Sequence, residues 1–212
     1  MARAPAADSR EALLDAAERV FGDLGYDKAS IRSISARARV SSALIQYHFG
    51  GKKGLYEHVI ERRLSAARHL FEGLPALVEA TSGMRLTRET LVAGIRTVMR
   101  GAVRMAESAP SFDRIMRREE SLGFPVAGKV LARVTPLAPL IELIGRAQEE
   151  GIVRRDLPPW LIASTVFGLH RQCRTHVRVL ELFGIEAPPL ESLLESSLSL
   201  VLDGAWTEKR KR

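Results

Sequence analysis

Cysteine is almost absent: among 212 residues only Cys173 carries a thiol. That excludes an internal disulfide framework and any multi-cysteine zinc site. Long apolar runs are also missing. None approaches the ~18–20 residues needed to span a bilayer, so no membrane association is expected. The opening stretch MARAPAADSREALLDAAERVF reaches Asp8 and Glu11 before any apolar run develops, which does not fit a secretory leader. A soluble, cytoplasmic protein is the expectation. Catalytic signatures are lacking too. His48, His58, His69, His170 and His176 make no H-E-x-x-H spacing, and there is neither a G-x-S-x-G elbow nor a G-x-x-x-x-G-K-[ST] loop. No enzyme, metal site or cofactor is expected.

What is present is an ordinary globular composition, 46% hydrophobic and 27% charged, with a basic excess of +7. Part of that excess sits in Lys209, Arg210, Lys211 and Arg212, a basic tail. The more informative concentration runs from Lys28 to Lys53, where Lys28, Arg32, Arg37, Arg39, Lys52 and Lys53 occur without one acid. A surface of this kind attracts polyanions, nucleic acid above all.

Helical periodicity dominates. Leu13, Ala16, Ala17, Val20, Phe21 and Leu24 form an i, i+3/i+4 stripe over 9–25, with Asp8 and Glu11 as a capping box and Gly25 as the stop. Ser30 caps a short helix to about Arg37, and Ser41 caps another to about His48. Gly50-Gly51 breaks the pattern before a longer helix that starts near Lys52. Further helices are expected over 87–107, 111–121, 125–150 (interrupted by Pro136 and Pro139), 160–182 and 190–205. The fold class is therefore all-α. A small basic three-helix bundle over 1–52 is followed by a larger helical domain over 53–208 and the tail 209–212, with the helix from about 52 as the link.

Two short helices joined by a tight turn make a helix-turn-helix. If Ile45 faces the core with Ile34 and Phe21, then Ala43 and Tyr47 lie opposite, flanked by Ser42, Leu44, Gln46 and His48. That outward face has no acid and suits close approach to a major groove. The chain here resembles the tetracycline-repressor (TetR) family of transcriptional regulators. The resemblance rests on the Ala17–Gly25 region, Ser30-Ile31-Arg32-x-Ile34-Ser35, Val40-Ser41-x-x-x-Ile45, Tyr47-His48-Phe49 and Lys52-x-x-Leu55, and it extends to about residue 65.

The resemblance implies that Ser30 and Arg32 meet the DNA backbone, that Ser41, Ser42, Ala43 and Leu44 read bases, and that Tyr47, His48 and Lys52 contact phosphates. Gln46 departs from the family's usual aromatic residue, which leaves the sequence preference at that position open. The resemblance also implies a homodimer through helices near 158–182 and 188–206 on a palindromic operator. A small-molecule effector in the larger domain would release the repressor from that operator.

Candidates in the larger domain are apolar. Phe112, Met116, Phe124, Phe167 and His170 are candidate ligand-lining residues, and Trp160 belongs to the same group. The same residue types at helical spacing also describe plain core. Arg114, Arg117 and Arg118 read either as a surface ion-pair ladder or as one arginine turned toward an acidic ligand. Cys173 reads as an inert thiol.

Overall fold

The computed structural model describes residues 6–66, 69, 73–134 and 138–206. The basic tail and Pro136 lie outside the described residues. The all-α expectation holds. Among the described residues eleven helices follow one another: α1 (Ala6–Lys28), α2 (Ile31–Ala38), α3 (Ala43–Phe49), α4 (Lys52–Ala66), α5 (Gly73–Ala80), α6 (Arg88–Ser108), α7 (Pro110–Ser121), α8 (Ala127–Val134), α9 (Ala138–Glu149), α10 (Pro159–Leu182) and α11 (Leu190–Ala205). Among the described residues the only β-type pairing is an isolated bridge between Val153 and Trp206.

Local signals set most helix boundaries. Gly25 adopts φ 81°, ψ 171°, so regular helix geometry stops at the residue that can take a left-handed φ, although helical bonding resumes to Lys28. α1 begins ahead of the expected Asp8 cap, at Ala6. The Thr87 hydroxyl accepts from the Thr90 amide at 3.2 Å and caps α6. Pro110 occupies the first turn of α7, where its missing N–H costs nothing. The expected proline interruption separates α8 from α9, and Pro139 sits in the first turn of α9. The short helix α5 had no clear signal in the sequence.

In compactness the chain divides differently from the boundary expected at residue 52. One unit comprises 1–68 and 105–135, and the other comprises 69–104 and 136–212. In the first, α1 packs against α2, α3, α4 and α7, and α4 also packs against α3 and α8. Its core joins Phe21, Ile34, Ile45, Phe49, Leu55 and Val59 to Phe112 and Ile115 of α7 and Val130 of α8. Burying such side chains contributes roughly 1.5–3 kcal/mol each, which is what holds a head made of short helices together.

Polar contacts lock α1 to α4. Buried Glu18 accepts from Arg62 Nη2 at 3.1 Å and from Arg63 Nε at 2.6 Å, and Arg62 also reaches Glu11 and Asp15. Burial alone would lower the Arg62 pKa, but hydrogen bonds to Asp15 and Glu11 raise it above the usual arginine value.

In the second unit, α9 and α11 pack against α10, and α5 packs against α9. In the two helices expected to dimerise, Val166, Leu169, Leu194, Leu198 and Leu202 are buried.

Candidate nucleic-acid interface

The interface is built on α2, the turn after it, and α3. Ser30 caps α2 reciprocally with Ser33: its Oγ accepts from the Ser33 amide at 3.0 Å, while Ser33 Oγ accepts from the Ser30 amide at 3.2 Å. The turn is closed by Arg39 in the left-handed region (φ 56°), whose amide donates to the Ala36 carbonyl, and by Val40 donating to Ser35. Ser41 Oγ accepts from the Ala43 amide at 3.3 Å, but the N-cap of the seven-residue α3 is Ser42, one residue past the expected Ser41, and its side chain makes no capping bond.

The angular reading of α3 matches the fold. Ile45 is fully buried and Phe49 is buried, whereas Ser41, Ser42, Ala43, Gln46 and Tyr47 are exposed, with Leu44 and His48 between. Tyr47 is 79% exposed, unusual for a side chain that could have packed. Its ring stands edge-on to that of His48, with centroids 4.9 Å apart. His48 Nε2 is buried without a hydrogen-bond partner among the described residues, which takes that nitrogen out of reach of a phosphate.

Cations surround this face. Lys28, Arg32, Arg39 and Lys53 are exposed and have no hydrogen-bond or ion-pair partner among the described residues. Lys52 is committed locally: its Nζ donates to the Asp27 carbonyl at 3.3 Å and lies 4.5 Å from the Tyr26 ring centroid. Four exposed, unpaired cations within the acid-free stretch 28–53 favour the approach of anions to this segment.

Gly54 is essential to the placement of α3, and residue pattern alone passed it over. A β-carbon there would stand 1.9 Å from the Phe49 carbonyl oxygen. The only sequence signal was a glycine where a helix interior disfavours one.

The sequence pattern of the bacterial regulatory proteins of the tetR family matches residues 13–59, the segment just described. The tetR pattern is thus carried by this head. Curated relatives include the A-factor receptor protein of Streptomyces griseus, 32% identical over 73 residues (34% of this chain and 26% of that protein). The HTH-type transcriptional repressor BepR of Brucella suis is 37% identical over 60 residues, 28% of this chain and 29% of its own length. The matched stretch thus spans between about a quarter and a third of those relatives. Solved structures extend the likeness of fold beyond the tetR head. The fatty acid degradation regulator FadR of Bacillus halodurans aligns with TM-score 0.64 at 16% identity, covering 95% of this chain and 97% of that one. A TetR family transcription regulator from Marinobacter aquaeolei aligns with TM-score 0.63 at 17% identity over 95% and 97% of the two chains.

The five candidate ligand-lining residues fall in different units. Phe112 and Met116 of α7 are buried in the core of the first unit, and Phe124 packs partly buried against it. Phe167 and His170 lie on α10 in the second unit, 6.0 Å apart by ring centroid, with His170 Nδ1 2.8 Å from the Phe167 carbonyl oxygen. The arginines of α7 are all engaged. Arg118 donates to the carbonyls of Phe21, Gly22 and Asp23, Arg114 donates to the Gly22 carbonyl and the Asp23 carboxylate, and Arg117 pairs with Asp113 on the same helix. None of the sequence candidates lines the open groove of about 420 Å³ along α6, which is bordered by Arg88, Glu89, Val92, Ala93, Arg96 and Arg100. Arg96 there grips the Glu195 carboxylate with two hydrogen bonds of 3.2 and 2.9 Å.

Among the described residues no helix is long and apolar enough to cross a membrane, and no group of His, Cys, Asp or Glu is arranged to hold a metal ion.

Proposed function

We propose that this chain is a transcriptional regulator that binds a palindromic DNA operator as a homodimer and is released from it by a small molecule. The carrying observation is the exposed, acid-free face of α3. Tyr47 projects from it, and Arg32, Arg39 and Lys53 in the same acid-free stretch are exposed and unpaired. Ser41, Ser42, Ala43, Leu44 and Gln46 enter the major groove as base readers. Ser30 and Arg32 hold the backbone, while Tyr47 and Lys52 take phosphates. Tyr47 contributes its hydroxyl, His48 packs its ring against Tyr47, and Lys52 keeps two ammonium protons beyond the one given to Asp27.

Dimerisation through α10 and α11 is supported by apolar side chains left outside the second unit's core, among them Leu161, Val179, Leu182 and Leu200. A pair of heads doubles the bases read, which a seven-residue recognition helix needs. The effector has two candidate seats, the Phe167–His170 region and the arginine-bordered groove on α6, and the latter favours an acid.

The test is fluorescence anisotropy on DNA flanking the gene that encodes the chain, with unrelated duplex as control, over a range of salt. Preference for the cognate DNA, weakened by salt and at least about tenfold by Tyr47→Ala, is the expected result. Absence of binding at low salt overturns the reading.

A further inference from the structure

We propose that Glu119 and Tyr56 are positioning residues for the DNA-binding head, setting α4 from a segment more than fifty residues beyond the matched tetR pattern. This rests on the DNA-binding reading above.

Glu119 is 3% exposed. A buried carboxylate costs several kcal/mol unless its oxygens are satisfied, and here no cation satisfies them. Three neutral donors do so. The Tyr56 hydroxyl donates to Oε1 at 2.9 Å, and the backbone amides of Val126 and Ala127 donate to Oε2 at 3.0 and 2.7 Å. One oxygen therefore faces α4, and the other closes the first turn of α8. One side chain of α7 ties together two helices that themselves pack against each other.

The turn that Glu119 closes is conformationally demanding. Gly123 has φ 78° and Phe124 has φ 59°, two successive left-handed residues, one of them not glycine. Such a conformation persists only where its surroundings over-determine it. The surroundings are on hand: the Phe124 amide donates to the Glu119 carbonyl at 2.7 Å, the next two bonds go to the carboxylate, and the Phe124 side chain packs against the core.

From Tyr56 the contacts run on to the interface. Its ring meets Phe21 edge-on at 4.9 Å and Tyr26 at 5.0 Å, and the face of Tyr26 carries the Lys52 ammonium at 4.5 Å. Lys52 is the first residue of α4, immediately after the α3 stop. On α1 the same helix, α7, grips the carbonyls of Phe21, Gly22 and Asp23 through Arg114 and Arg118. α7 thus locates both long helices of the head. An apolar pair in place of Tyr56 and Glu119 would supply cohesion without a buried charge, whereas directional bonds supply orientation.

The experiment uses the full chain with Tyr56→Phe, Glu119→Gln and the double variant, at a temperature where circular dichroism shows each fully helical. The DNA probe is a duplex selected from a random pool by the wild-type chain. Tyr56→Phe keeps the ring contacts and removes only the donor, so about a tenfold loss of affinity is expected, with an unchanged salt slope because no phosphate contact is lost. The double variant is expected to bind no more weakly than the worse single one. Hydrogen exchange supplies a readout independent of DNA: the amides of Val126 and Ala127 should exchange faster in Glu119→Gln, and those of α4 in both variants. Wild-type affinity for Tyr56→Phe, or unchanged α4 exchange despite lower stability, overturns the proposal. If the wild-type chain selects no duplex, the DNA reading fails by itself, and exchange alone decides the positioning role.

Discussion

Gly54 lies so close to Phe49 that any side chain at 54 would collide with the Phe49 carbonyl oxygen, which an added β-carbon would approach to 1.9 Å. The collision is with backbone, so no rotamer change relieves it. Gly54→Ala is expected to destabilise the chain by at least the ~1–3 kcal/mol typical of overpacking, measured by urea denaturation. Gly145 gives the contrast: it is helical, and a β-carbon added there would meet nothing within 4 Å. Gly145→Ala should be neutral or stabilise by up to about 1 kcal/mol.

Arg118 and Arg117 are neighbours with different duties. Arg118 donates three hydrogen bonds to carbonyls near the kink of α1, while the exposed Arg117 makes one ion pair with the largely buried Asp113 carboxylate. Arg118→Ala should cost about 1–3 kcal/mol, because it leaves those carbonyls short of a charged donor. Arg117→Ala removes a single ion-pair contact and should cost less than Arg118→Ala, about 1 kcal/mol or below. Thermal unfolding of the two variants side by side checks the ordering.

Alkaline pH is expected to weaken the fold through Tyr56. Burial, then the hydrogen bond to the Glu119 carboxylate, pushes the Tyr56 phenol well above the ordinary value of 10.0. The folded state therefore retains a proton that the unfolded chain gives up. The Tyr56 contribution is fully present below about pH 10 and declines as pH rises beyond it. Unfolding free energies between pH 9 and 11 should fall more steeply for the wild-type chain than for Tyr56→Phe. Parallel curves would remove Tyr56 from the account.

The proposed dimer makes Leu200 a test position, since it is 77% exposed on α11. Leu200→Asp is expected to leave the helical content intact and to shift the mass measured by light scattering from dimer toward monomer. DNA affinity should fall with it, as two linked heads bind more tightly than one. A wild-type chain that is monomeric at micromolar concentration would contradict the dimer reading.

Much of the head was legible from local chemistry. Ser30, Gly25 and Gly50 mark helix ends or kinks through effects confined to a few residues, and the period of Ile34, Ile45 and Phe49 marks the inward face. What could not be read was pairing at long range. Arg118 and Gly22 are 96 positions apart, and no helical periodicity couples them. Phe112 and Met116 show the same limit from another side. An aromatic and a thioether on one helix face have the same pattern whether they line a cavity or fill a core, and here they fill the core of the first unit. Gly54 was hidden because close approach of backbone leaves no trace except the glycine itself.

The discontinuity of the first unit sets a schedule for biosynthesis. Its early part ends near Ala66, and Ala127, whose amide caps onto Glu119, is made 61 residues later. At about 5–20 residues per second that is an interval of roughly 3–12 s. During it the faces of α1 and α4 that will meet α7 and α8 have no cover on the ribosome. During that interval the nascent head presents apolar surface of the kind chaperones bind, and a transplanted head is expected to need the 105–135 segment carried with it to fold.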